Sequence, residues 1–233
     1  MAMSDGAVNI TLPGVLRGVR GIFAISLYGF PLGIAFGVAA TEAGLSPALT
    51  TTMSALVFAG ASQFAALEFW TAPIVWIPLL LVVFAVNARH ILLGASLYPW
   101  MRAAPLWQRH AAAAFITDAN WAYAIAAHRN GTRDLGILVG SGAMMWAGWV
   151  SGTLVGAAFT DRLIDPAVFA LDTLMVTFFA TVVVGLAKDE TAPWPWLAAA
   201  GVALAAYWVL PPGWHILAGG LAGGLVGCVL HGR

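Results

Sequence analysis

The chain has 233 residues, of which 61% are hydrophobic and 9% charged, and its ten Lys+Arg balance ten Asp+Glu. Soluble domains average about 45–50% apolar and about 25% charged residues, so this few charges cannot cover a water-facing surface, and a soluble enzyme is excluded. The zero net charge leaves no basic field for a nucleic acid, and the single cysteine, Cys228, leaves no disulfide framework or thiolate metal site. No cofactor and no metal is expected. A hydrocarbon layer of about 30 Å takes about 20 helical residues, so the length accommodates roughly seven or eight crossings. The expected fold class is all-α, a polytopic helical membrane protein with the lipid bilayer as its solvent.

In chain order, a short tail (1–17) precedes apolar segments at 18–40, 48–69, 73–98, 109–128, 135–160, 166–187, 194–210 and 213–231. None of the dividers between them is long enough for an extramembrane domain, so 18–233 reads as a single membrane-embedded domain. Arg17, Arg20 and the run ending in Val38-Ala39-Ala40 have the outline of a signal peptide. That run is longer than a typical leader core and resembles the later segments, so it is read as the first of them. Within it, Gly29, Gly33 and Gly37 form a small-xxx-small stripe, matched by Gly148, Gly152 and Gly156 in segment 135–160; both predict close helix packing.

Segment 48–69 carries Gly60-Ala61-Ser62-Gln63 between Phe58 and Phe64, a small and polar patch deep in an apolar stretch. A helix interrupted there would present backbone groups to a cavity; an intact helix would use Ser62 and Gln63 for internal or bridging hydrogen bonds. Segment 73–98 places Asn87, Arg89 and His90 near its middle. At about 100° per residue, Asn87, His90, Gly94 and Leu97 share one face and Arg89 points elsewhere. A charge at a helix centre costs about 2.5–3.5 kcal/mol even on the lenient insertion scale, so Arg89 needs an acidic partner or an aqueous cavity. Asp118 in segment 109–128, Asp172 in segment 166–187 and, less well placed, Glu68 are the candidates. A deep acid is either paired or titrating, so Arg89, Asp118 and Asp172 are candidates for an ion pair or for proton coupling. The tryptophans near segment ends, such as Trp70, Trp100, Trp107 and Trp194, fit interfacial anchors.

Sliding the chain against itself reveals a repeat. At an offset of 119, Gly21, Ala24, Gly29, Gly33, Gly37, Ala39, Thr41, Pro47, Ala48, Val57, Ala61 and Leu67 all meet identical residues, from Gly140 to Leu186. Composition alone would give about four such matches, so an internal duplication is expected, with halves at about 18–134 and 135–233. Such repeats build secondary transporters, whose substrate site lies near the midplane between the halves. Four full crossings per half would make the halves parallel; a broken, re-entrant segment would leave three and make them inverted. The positions of Arg17, Arg20, Arg102, Arg109, Arg129 and Arg133 fit neither arrangement throughout.

No phosphate-binding loop, H-E-x-x-H or G-x-S-x-G is present, so ATP hydrolysis and the common hydrolase chemistries are not expected, and the chain is read as not an enzyme. Two motifs, Phe58-Ala59-Gly60-Ala61-Ser62-Gln63-Phe64 and Asn87-Ala88-Arg89-His90-Ile91-Leu92-Leu93-Gly94-Ala95-Ser96-Leu97, are similar to the two most distinctive stretches of the AzlC family of branched-chain amino-acid permeases. Pro31 and Thr117-Asp118 fit it as well, while Ala119 and Leu93-Gly94 depart from the family pattern. The resemblance implies export of branched-chain or similar neutral amino acids across the bacterial inner membrane, jointly with a small AzlD-like membrane subunit. The donors expected for the substrate carboxylate are Gly60, Ala61, Ser62 and Gln63; Asp118 or Asp172 would take the ammonium, and Phe58 and Phe64 the side chain, with Asn87 and His90 beside them. A channel for a small neutral solute and a non-transporting assembly subunit are the other readings.

Overall fold

The computed structural model describes residues 8–70, 73–160, 193–210 and 214–231. Asp172 and segment 166–187 lie outside the described residues. All regular structure among the described residues is helical: α1 (Leu12–Glu42), α2 (Pro47–Val57), α3 (Gly60–Leu67), α4 (Trp76–Asn87), α5 (Arg89–Met101), α6 (Leu106–Ala113), α7 (Asp118–Arg129), α8 (Gly136–Phe159), α9 (Trp194–Val209) and α10 (Trp214–His231). Three stretches are long and apolar enough to cross a membrane: α1, α8, and α4 with α5, which run on as Trp76–Met101. The expected seven or eight crossings therefore do not follow from the described residues: segments 48–69 and 109–128 are broken into short helices, α9 and the apolar part of α10 are shorter than a span, and segment 166–187 lies outside the described residues.

The chain forms two compact units that interleave in sequence, Met1–Gly60 with Ala88–Arg162, and Ala61–Asn87 with Leu163–Arg233. Each draws on both of the halves expected from the repeat. In the second unit α9 and α10 form an antiparallel pair, whose small residues set the approach. A Cβ on Gly219 would lie 2.8 Å from the Ala199 carbonyl, and one on Gly223 2.9 Å from that of Pro195.

The first unit is organised by α1 and α8. Thr11 caps α1 by accepting from the Gly14 amide at 3.1 Å, and Gly44, at φ +91°, lets the chain turn away after Glu42. Glycines bring the two helices into backbone contact. A Cβ on Gly33 would run into the Trp149 carbonyl and one on Gly152 into that of Phe30; Gly37 meets Thr153, and Gly156 meets Ile34, in the same way. Gly18 abuts Ile137, and Gly140 abuts Val15. Contacts therefore advance together along both helices, so α1 and α8 run parallel. Inverted halves would require the two helices that the expected repeat pairs to run in opposite directions. Within the Gly33–Gly152 crossing the contact is also reciprocal at the offset of 119, since 30 pairs with 149 and 34 with 153. This is the form of an isologous interface.

The segment expected as one crossing at 109–128 is instead a helical hairpin. α6 starts beside the beginning of α1, where the Ile10 amide donates to Gln108 Oε1 at 2.8 Å. Its tip reaches the middle of α8: a Cβ on Gly142 would lie 2.5 Å from Phe115 Cβ, and the Thr117 hydroxyl sits 3.6 Å from Met145 Sδ. α7 then returns to the starting end. Tyr123 lies against Arg17 and Gly21, and the His128 ring stacks on Trp100 at 4.6 Å. Eight and twelve residues extend only about 12 and 18 Å, too short for either helix to span the layer. Leu97, Trp100, Ala112, Ile116, Ala124, Leu135 and Leu138 pack between α5, α6, α7 and α8 and fill the hairpin's base.

Candidate functional site

The break in segment 48–69 falls at Phe58-Ala59, two residues ahead of the Gly60 to Gln63 patch. α2 begins at the far end of α1, with Ser46 accepting from the Leu49 amide, and stops at Phe58, whose φ of 41° and ψ of 45° are left-handed. A bulky residue rarely adopts that conformation, so the surrounding packing must hold it. Two groups from α8 do so. Trp146 Nε1 donates to the Ala55 carbonyl at 2.9 Å, taking an acceptor near the end of α2, and the Ser54 and Thr153 hydroxyls lie 2.9 Å apart. Gly60 opens α3 against the Trp149 indole, where an added Cβ would come within 2.7 Å of the ring; Phe36 stacks on that indole at 5.9 Å. Ala61, Ser62 and Gln63 form the first turn of α3 and are buried, with Phe64 half-buried.

The second break lies at the hairpin tip. Thr117 caps α7 in a capping box: its hydroxyl accepts from the Asn120 amide, and the Asn120 side chain accepts from the Thr117 amide at 2.6 Å. The Asn120 amide group also donates to the Phe115 carbonyl at 2.6 Å and to that of Leu138 at 3.2 Å. One fully buried side chain thus satisfies the backbone on both sides of the break and ties the tip to α8. Asp118 follows as the first residue of α7.

Asp118 is also where Arg89 finds its acid: Arg89 Nη1 lies 3.1 Å from Asp118 Oδ2. The pair is not sealed, with side-chain exposures of 37% and 55%, so both groups remain accessible to a polar ligand or to water. Glu68 is exposed and plays no part in this ion pair. Asn87 and His90, expected on one face of one helix, close α4 and open α5 on either side of Ala88; both are half-buried. Phe58, Gly60, Arg89, His90 and Asp118 belong to the first unit, and Ala61, Ser62, Gln63, Phe64 and Asn87 to the second. Among the described residues, no group of three His, Cys, Asp or Glu side chains stands close enough to hold a metal ion.

What joins the two breaks is a single turn of α8. Met145 touches the hairpin tip, Trp146 caps α2, and Trp149 packs on Gly60. Met145 is nine residues beyond Gly136, about 14 Å along a helix of about 36 Å, so both breaks sit near mid-depth. Sequence reasoning passed over Asn120, Trp146 and Trp149, and used Thr117 only in the family resemblance. The Thr117-x-x-Asn120 pattern inside an apolar block was the available sign of a helix start; nothing local marks the two tryptophans.

The profile of the AzlC protein family matches residues 24–163. The chain is 33% identical over 174 residues to the "Inner membrane protein YgaZ" of Escherichia coli strain K12, covering 70% of this chain and 71% of that one. It is 30% identical over 151 residues to an "Uncharacterized membrane protein" of Archaeoglobus fulgidus, covering 64% of each. No solved structure matches it. The family match covers more than half of the chain, and the spanning helices agree with it: this chain is a membrane protein of the AzlC family.

Proposed function

We propose that the protein is a secondary transporter that exports branched-chain or related neutral amino acids across the bacterial inner membrane. It is driven by the proton motive force and works with a small AzlD-like membrane subunit. The observation that carries this reading is the meeting of two helix breaks on one turn of α8 at mid-depth, with the Arg89–Asp118 pair at the tip of one of them. Broken helices at the bilayer midplane are where secondary transporters build substrate sites.

A zwitterion fits this chemistry. Its carboxylate matches the Arg89 guanidinium and the start of α3 at Gly60, its ammonium matches Asp118, and its aliphatic side chain matches the apolar surface around Phe58 and Trp149. Entry of such a ligand exchanges one ion pair for two, so it binds without leaving a charge bare in the hydrocarbon. Asp118 is the acid in this site available for proton coupling, and the parallel course of α1 and α8 supports a duplication with parallel halves.

The test is counterflow of labelled valine, leucine and methionine in proteoliposomes, with and without the small subunit and a pH gradient. Saturable exchange of at least one of these supports transport. Flux that neither saturates nor follows the gradient would favour a channel, and no movement under any condition would favour an assembly subunit.

A further inference from the structure

Within the first unit α5 and α7 lie side by side, and three ties advance together along them. Arg89 at the start of α5 meets Asp118 at the start of α7, Trp121 Nε1 donates to Ser96 Oγ at 2.8 Å, and Trp100 stacks on the His128 ring at 4.6 Å. The two helices therefore run parallel, from the hairpin tip to its base. The ion pair belongs to the candidate site and the stack to the packed base. The hydrogen bond between them, from Trp121 to Ser96, belongs to neither.

That middle tie has a fixed sense. Ser96 Oγ donates its proton to the Leu93 carbonyl at 2.7 Å, one turn back on its own helix, so it offers only lone pairs to α7. The indole N–H can only donate, and the bonds run in one direction, from Trp121 through Ser96 to Leu93. Ser96 stands two turns beyond Arg89 on the same face of α5, and Trp121 about one turn beyond Asp118 on α7. The bond thus sets the spacing of the two helices within about 10 Å of the ion pair. Arg89 depends on that spacing. Its Nη1 meets Asp118 at 3.1 Å, while its Nε is buried with no hydrogen-bond partner, so the guanidinium is placed by where α7 holds Asp118.

We infer that Ser96 and Trp121 are positioning residues of the Arg89–Asp118 site: their hydrogen bond keeps α5 and α7 at a fixed spacing while a substrate stands between the two charges. The inference rests on the transport reading given above. A zwitterion that exchanges one ion pair for two removes the direct link between Arg89 and Asp118, and the helices that carry them then need another bond to stay in register. Serine hydroxyls commonly make such bonds across helices in membranes, where no water competes for them. Without the tie the two charges drift apart, and substrate binding must first restore their separation.

The test is valine counterflow in proteoliposomes for the parent, Ser96→Ala, Trp121→Phe, their double variant and Ser96→Thr, normalised to inserted protein and resolved into KM and maximal rate. Each single variant is expected to raise KM about fivefold, with the maximal rate within about twofold of the parent. Both remove the same bond, so the double variant raises KM no further than the larger single effect. Ser96→Thr keeps a hydroxyl that can bond the same carbonyl and stays within about twofold of the parent KM. Unchanged KM in both single variants, multiplying effects in the double variant, or a KM for Ser96→Thr as high as for Ser96→Ala would overturn the inference. Denaturant unfolding in detergent reads the tie without transport. The midpoint shift caused by Asp118→Asn is expected to be smaller in the Trp121→Phe background than in the parent, and equal shifts would overturn the inference. A parent that shows no counterflow would overturn the transport reading instead, and the unfolding comparison would then decide whether Ser96 and Trp121 position the pair.

Discussion

The α1–α8 seam and the pair of broken segments beside it are written in similar apolar, glycine-rich sequence, yet they solve opposite problems. Along the seam the chain stays helical throughout, even across Pro31, and glycines let the carbonyls of one helix touch the next. In lipid there is no hydrophobic drive between helices, so this close packing is what holds the pair together. At Phe58 and at Thr117 the backbone leaves the helix, and the side chains of Trp146 and Asn120 replace bonds that the helix no longer supplies. Uninterrupted helices give a frame, and interrupted ones give polar groups at mid-depth that a frame cannot.

Substitutions that break one region and spare the other sharpen this difference. The largest effect is expected for Gly152→Leu, which drives a side chain into the Phe30 carbonyl; overpacking costs about 1–3 kcal/mol or more, here against unyielding backbone. Accumulation in membranes and the unfolding temperature should both collapse. Asn120→Ala comes next, leaving the Phe115 carbonyl and the Thr117 amide without their partner and untying the hairpin tip from Leu138, at about 2–3 kcal/mol in denaturant unfolding. Trp146→Phe keeps the ring and loses one bond to Ala55, at about 1 kcal/mol by the same measurement. Gly29→Ala is the control: an added Cβ there meets nothing within 4 Å, so stability should stay within about 0.5 kcal/mol of the parent although the residue belongs to the same sequence stripe as Gly33.

Gly29 also illustrates what the sequence could and could not tell. Its spacing with Gly33 and Gly37 predicts a packed stripe, and the two later glycines do pack on α8, because spacing sets the face of a helix. Where along that face the partner crosses depends on the other helix, and at Gly29 the contact is absent. The site follows the same logic. A broken and an intact helix were both open readings of segment 48–69; the break is there and falls at Phe58, a position no propensity favours, because α8 stabilises the conformation from outside. The hairpin at 106–129 was hidden by composition: a block of apolar residues about 20 long looks like a span whether or not it turns back. Its one local sign, Thr117 with Asn120, was read around Asp118 and not as a helix start. Arg89 was recognised as needing an acid, and which acid serves is a question of three-dimensional placement.

The claim that matters most is that the Arg89–Asp118 pair meets the substrate and does more than neutralise itself. Valine counterflow in proteoliposomes separates the two, measured for the parent, Arg89→Gln, Asp118→Asn and the charge-exchanged double variant Arg89→Asp/Asp118→Arg, each normalised to inserted protein. The account predicts that both single variants lose transport by more than about tenfold, a change of about 1.4 kcal/mol, and that the exchanged pair, though charge-balanced, does not recover it because the zwitterion would meet its own charges reversed. Recovery of counterflow by the exchanged pair would show a structural ion pair only and would contradict the site.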